Sequence, residues 1–208
     1  MIGLLVSYAF VGAVLAFSSL LEKHTTLGDE GARKIIHIGV SHWILLAVVL
    51  FDSPLLASVV PASFIVLNYL SYRFQLLSAM EREGHDPEDL GTVYYAVSLT
   101  IITYLSFRYD LHAAGVVAIL AIGWGDGMGA VLGKRFGRQK LYRMKTYIGS
   151  LTMLLFTFVI AYVILGAGMP ITLIVALAAT AIELITPKGF DNLTVPLFLY
   201  FSVVLFLA

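Results

Sequence analysis

GWGDGMGAVLGKRFG, residues 123–137, sets one carboxylate, Asp126, among glycines near the end of an apolar run and then passes straight into a basic segment. An ionisable side chain inside a membrane span is costly and rare, and is a functional candidate on that ground alone. Gly125, Gly129, Gly133 and Gly137 recur at every fourth position, the spacing of a close-packing helix face. That face accounts for the glycines but not for Asp126. Six Lys or Arg residues follow between Lys134 and Lys145. A carboxylate suited to Mg²⁺, glycines that admit close backbone approach and a basic cluster together point to phosphate handling at a membrane. A soluble phosphate loop is excluded, because GAVLGKR has the wrong glycine spacing and no Ser or Thr after its lysine.

The rest of the chain supplies the membrane. Its 208 residues are 60% hydrophobic and 12% charged, against about 25% charged in soluble proteins. Mean hydropathy is +0.93. There is no cysteine, hence no disulfide, thiolate nucleophile or zinc–thiolate site. Apolar runs separated by polar or Pro/Gly punctuation predict an all-α, polytopic membrane bundle forming one domain over residues 1–208. Eight helices are expected at 2–21, 32–51, 54–74, 92–107, 111–132, 148–167, 170–185 and 193–207, or seven spans if one is only half inserted. The fourth, seventh and eighth are short for ~30 Å of hydrocarbon. The first has no Lys or Arg before it and is longer than a secretory core, so it is expected to stay as a span. Period-two alternation is absent and the apolar runs are too long for strands, which argues against a β-barrel.

Charge then orients the bundle. The odd-numbered loops carry Lys23, Arg33, Lys34, Arg73, Arg82, the six cations from Lys134 to Lys145, and Lys188, whereas the even loops carry only Arg108. Positive loops face the cytosol, so both termini are expected on the non-cytosolic side. Asp126 lies ~9 Å deep from the cytosolic end of its helix at 1.5 Å per residue. His37, Glu183 and Asp191 gather at the same face.

Glu30, Arg33, Lys34, His37 and Ser41 share one helical face, able to present two cations and an imidazole to phosphate oxygens. The plainer alternative is a charged anchor followed by a histidine bonded to a neighbouring helix, with Asp29 capping the helix start. Lys145, Thr146, Gly149 and Ser150 fall at the start of the sixth helix, where free backbone N–H groups, a lysine and hydroxyls make an anion site. The basic loop as a whole also serves topology and anionic headgroups. Glu183 is a second intramembrane carboxylate, with Asp191 and Asn192 across a Pro/Gly turn. Such hard oxygen ligands suit Mg²⁺, which uses one or two carboxylates plus substrate phosphates. Against this, Asp191 can be a helix cap and Glu183 the partner of a nearby cation. The acidic segment 75–91 is either a solvated run or a lid, and Asn68 is more simply a helix–helix hydrogen bond than a ligand.

The linked motifs ARKIIHIGV (32–40), DLGTVYYAVSL (89–99), GWGDGMGAVLGKRFG (123–137), KTYIGSL (145–151) and ELITPKGFDNLTVPL (183–197) resemble the polyprenol, phytol and dolichol kinase family of CTP-dependent membrane lipid kinases, with its diacylglycerol kinase relatives. The likeness runs in order through nearly the whole chain. One departure is Ile148, where many relatives carry Glu. The resemblance implies transfer of the CTP γ-phosphoryl group to a long-chain lipid alcohol such as phytol, a polyprenol or diacylglycerol. It casts Asp126, His37 and Lys145 as catalytic, and Asp126, Glu183 and Asp191 as Mg²⁺ ligands. Around the nucleotide it sets Arg33, Lys34, Gly125, Gly127, Gly129, Lys134, Arg135, Thr146, Gly149 and Ser150, with Asn68 and Asn192 as further candidates. Either Asp126 or His37 would accept the hydroxyl proton. The expected partners are the lipid alcohol, a nucleoside triphosphate and the bilayer, with no nucleic acid. Oligomeric state is left open. Two other classes compete: a phosphatidate cytidylyltransferase, whose C-terminal carboxylate and lysine pattern is absent here, and a transporter, which would favour midplane polar groups and inverted repeats.

Overall fold

The computed structural model describes residues 1–24, 28–74, 90–187 and 189–207, with the side chains of 28–30 and 207 left aside. Asp29, Glu30, Lys188 and most of the acidic segment, residues 75–89, therefore lie outside the side chains described here. Among the described residues the chain forms α1 (Ile2–His24), α2 (Gly28–Ser41), α3 (Trp43–Leu50), α4 (Pro54–Phe74), α5 (Gly91–Arg108) and α6 (His112–Phe136). A small hairpin follows, β1 (Lys140–Tyr142) and β2 (Lys145–Thr146), then α7 (Tyr147–Leu165), α8 (Met169–Ile185) and α9 (Asp191–Leu207).

These elements make the all-α bundle expected from the sequence. The second expected span is α2 and α3 together, interrupted at His42, whose N–H bonds Gly39 three residues back rather than four. Five spans, Ile2–His24, Gly31–Leu50, Pro54–Phe74, His112–Phe136 and Tyr147–Leu165, are long and apolar enough to cross a membrane. Helices α8 and α9 have 17 residues each, short as expected. Two local features differ from the sequence reading. Helix α6 continues to Phe136, so Lys134 and Arg135 ride on its last turn instead of a loop. The basic segment beyond it folds back as an antiparallel β1–β2 pair, with Arg143 at φ 51 in its turn.

Small residues decide which helix sits inside. In α6, 72% of the apolar window is buried, against 17% in α1. Its Ala114, Gly115, Ala118, Ala121 and Gly125 let α2, α5, α7 and α9 pack around it. Within a bilayer, helices associate by packing and hydrogen bonds more than by the hydrophobic effect, and close backbone approach matters most. Two glycine faces provide it. A Cβ on Gly129 would lie 3.0 Å from the Gly149 carbonyl oxygen of α7, so this face must stay bare. On the other side, a Cβ on Gly123 or Gly127 would collide with Ser41 or Ile38 of α2. The C-terminal ends of α1, α4, α6 and α8 therefore meet the N-terminal starts of α2, α5, α7 and α9 at one end of the bundle. The unusual polar groups are there.

Candidate functional site

At that end lies a cavity of about 860 Å³, in the ~300–1,000 Å³ range of ligand pockets. Arg33 and Lys34 of α2, Asp126 of α6, Lys145 of β2, Glu183 of α8 and Asp191 of α9 all line it. The two lysines are matched to the three carboxylates, as burial demands: a buried ion left alone costs several kcal/mol, of order 3–5 when one partner is removed. Lys34 Nζ donates to Asp126 Oδ2 at 2.5 Å, and His37 Nε2 lies 3.7 Å from the same oxygen. Lys145 Nζ donates to Glu183 Oε1 at 2.5 Å, to Asp191 Oδ2 at 3.3 Å and to the Glu183 carbonyl oxygen. Burial alone would lower the Lys145 pKa, but the Glu183 and Asp191 carboxylates outweigh it and hold the ammonium above its usual value.

Asp126, Glu183 and Asp191 each offer a carboxylate oxygen within 4.8 Å of the others. Three buried carboxylates with no imidazole or thiolate among them form a hard-oxygen set, and this fits Mg²⁺ chemically. Glu183 is thus both the partner of a cation and a candidate ligand. Asp191 likewise opens α9, its Oδ1 accepting the Asn192 N–H at 3.1 Å, while its other oxygen faces Lys145.

Most residues expected from the sequence converge here. Arg33, Lys34, Gly125, Gly129, Lys134, Thr146, Gly149, Ser150 and Asn192 line the same cavity, although Lys134 is an exposed rim group. Gly127 does not line it and packs on Ile38 instead. Arg135 is also outside, its guanidinium 5.4 Å from the ring of its neighbour Phe136. The helix start at α7 is less open to an anion than expected. Thr146 caps it, its hydroxyl accepting the Gly149 N–H at 3.1 Å. The buried Ser150 Oγ keeps no partner and remains a free hydroxyl at the wall.

His37 and Asn68 border a second, narrow space of about 60 Å³ among α1 to α5, with Asn192 of α9 at its edge. Arg33 and Asn192 line both spaces, so the two adjoin. Asn68 Nδ2 donates to the Thr92 carbonyl at 2.9 Å and Asn192 Nδ2 to the Gly91 carbonyl at 3.1 Å. These bonds fix both amides and leave each Oδ1 without a partner. His37 Nε2 is buried without a hydrogen-bond partner, 3.7 Å from Asp126 Oδ2. Tyr95 packs against the His37 ring, ring centroids 4.1 Å apart and planes tilted by 40°, with its buried hydroxyl also unpartnered. Tyr95 escaped the sequence reading because a tyrosine in an apolar helix looks like core. Its i, i+3, i+7 alignment with Thr92 and Leu99 was the available signal.

Helices long and apolar enough to cross a membrane, with carboxylates and lysines around a cavity at one end, define a helical bundle of membrane-spanning type with a charged site beside an apolar compartment. Over 207 residues the chain is 32% identical to a phytol kinase of Synechocystis, covering 94% of this chain and 87% of that protein. It is 28% identical to the chloroplastic phytol kinase 1 of Arabidopsis thaliana over 88% of this chain and 68% of the relative. To the chloroplastic farnesol kinase of the same plant it is 31% identical, over 69% of this chain and 52% of the relative. The chain belongs to this family of polyprenol- and phytol-type lipid-alcohol kinases. No family model and no solved structure matches it.

Proposed function

We propose that the chain is an integral-membrane kinase that transfers the γ-phosphoryl group of CTP to the hydroxyl of a long-chain lipid alcohol at the cytosolic face. The observation that carries this reading is the convergence of three buried carboxylates and two lysines on one cavity in a chain akin to phytol and farnesol kinases. Phosphoryl transfer asks a protein mainly for positioning and charge neutralisation. Arg33, Lys34 and Lys145 supply fixed positive charge for the triphosphate, Arg33 with a planar fork and the lysines as point charges. Asp126, Glu183 and Asp191 would hold Mg²⁺, which supplies neutralisation of charge building on the transferred phosphate oxygens.

In the transfer, the alcohol oxygen forms a bond to the γ-phosphorus while the bond from that phosphorus to the β–γ bridging oxygen breaks. The products are a lipid monophosphate and CDP. The hydroxyl proton goes to His37 Nε2, which has no hydrogen-bond partner of its own. Asp126 is the weaker base, since Lys34 already engages it. The choice of CTP rests on the family resemblance. Cytosolic placement rests on the charge asymmetry of the loops, which puts Lys23, Arg73 and Lys134 at the cavity end and Arg108 at the other.

Purified protein with Mg²⁺, phytol and CTP labelled at either the γ- or the α-phosphate tests the reaction. Label from the γ-position alone should enter the lipid. Label from the α-position would make the protein a cytidylyltransferase, and no labelled lipid from a panel of alcohols would sink the enzymatic reading.

A further inference from the structure

The narrow space beside the charged cavity is polar at one end only. Val11, Leu15, Val40, Trp43, Val60 and Leu99 form its walls, surfaces of no use to a triphosphate. At its mouth, Tyr95, Asn68 and Asn192 are all more than nine-tenths buried, and each has a side-chain oxygen with no hydrogen-bond partner. Unpaired buried polar atoms cost about 1–3 kcal/mol each, so three together mark a place for a ligand. Both asparagine oxygens are acceptors, since their NH₂ groups are committed to the Thr92 and Gly91 carbonyls. The tyrosine O–H is a donor. An alcohol hydroxyl has one hydrogen to give and two lone pairs to share, which complements this set.

We propose that this slot binds the hydroxyl-proximal part of a single-chain lipid alcohol, with Tyr95, Asn68 and Asn192 holding the hydroxyl and the apolar walls holding the first segment of chain. The inference takes its occupant from the kinase reading and gives it a place. Because Arg33 and Asn192 belong to both spaces, the hydroxyl is held where the polar cavity begins, beside His37. At 1.5 Å per residue the slot runs ~12 Å along α4 from Asn68 to Val60, less than half of the ~30 Å hydrocarbon thickness. The distal part of a long chain therefore leaves the bundle, and the slot discriminates by the chain next to the hydroxyl. Its narrowness admits one chain and excludes the two of diacylglycerol.

The absence of cysteine from the chain makes the test clean. Single variants Ala96→Cys near the mouth, Val60→Cys at the far end and Leu55→Cys on the exposed side of α4 are labelled with a small membrane-permeant thiol reagent in reconstituted protein. Phytol should slow labelling of the first two by about tenfold when present at ~10 Kd, and leave Leu55→Cys unchanged. A single-isoprene alcohol should protect Ala96→Cys alone. Phytol that fails to protect Val60→Cys, or protects Leu55→Cys equally, overturns the slot. If Val60→Cys does not fold, Leu15→Cys reads the same space from α1. Protection reports binding without turnover, so the two readings can fail separately. Transfer without protection sinks the slot alone, and protection without transfer sinks the kinase alone.

Discussion

In the charged cavity, Lys34 and Lys145 are matched to Asp126, Glu183 and Asp191. In the adjoining slot, Tyr95, Asn68 and Asn192 keep polar atoms unmatched. Both regions are buried and share Arg33 and Asn192 as wall. The difference reflects what each must do without its ligand. Full charges cannot wait unpaired in low dielectric, so the cavity holds itself together with internal ion pairs that phosphate and metal can replace. Neutral acceptors and a phenol can wait at lower cost. On the proposed reading, a polyanion and a neutral alcohol call for different resting states, and the two spaces offer one of each.

Lys145 offers the largest way to break this contrast. Lys145→Met removes the cation that bridges two carboxylates and should lower kcat/KM for the nucleotide by ~10²–10³-fold, a loss of about 2.7–4 kcal/mol. Initial rates at varied nucleotide should show this with the KM for the alcohol little changed. Next is the packing that brings the cavity walls together. Gly129→Ala puts a Cβ 3.0 Å from the Gly149 carbonyl oxygen and should destabilise the bundle by about 1–3 kcal/mol. Gly12→Ala in α1, where a Cβ meets nothing within 4 Å, should stay within about 0.5 kcal/mol of wild type. Thermal unfolding in detergent compares the two.

A smaller effect is expected on the slot side. Tyr95→Phe removes one donor to the alcohol and should raise its KM by ~3–10-fold, the worth of a hydrogen bond of about 0.5–1.5 kcal/mol. The KM for the nucleotide should not move; equal effects on both substrates would erase the boundary between the two spaces. Arg135→Gln should change the least, within about twofold in nucleotide KM, because an exposed charge outside the cavity contributes about 0–1 kcal/mol.

The bundle was legible because long apolar runs leave few choices of structure. The interruption at His42 and the β1–β2 pair were not, since neither is marked by Pro, Gly or period-two alternation strong enough to stand out. In the cavity, Asp126 and Glu183 were visible through the cost of a carboxylate in a span, and Asp191 through its place after a Pro/Gly turn. Arg135 lies outside the cavity lining, because sequence proximity to Lys134 does not tell which side of a helix end faces inward. Gly127 likewise lies on the α2 face of α6, against Ile38, while Gly125 and Gly129 line the cavity. The slot left almost no trace. Val60, Ala96 and Leu99 are ordinary span residues, and only the packing of several helices leaves space between them.

Asp126 joins the two lysine–carboxylate systems to His37, and its variant tests the account most directly. Transfer of γ-label from CTP to phytol should fall to background in Asp126→Asn, with the thermal unfolding transition of the variant still present. A folded Asp126→Asn protein that transfers label at the wild-type rate would contradict the account and leave Asp126 as a packing residue.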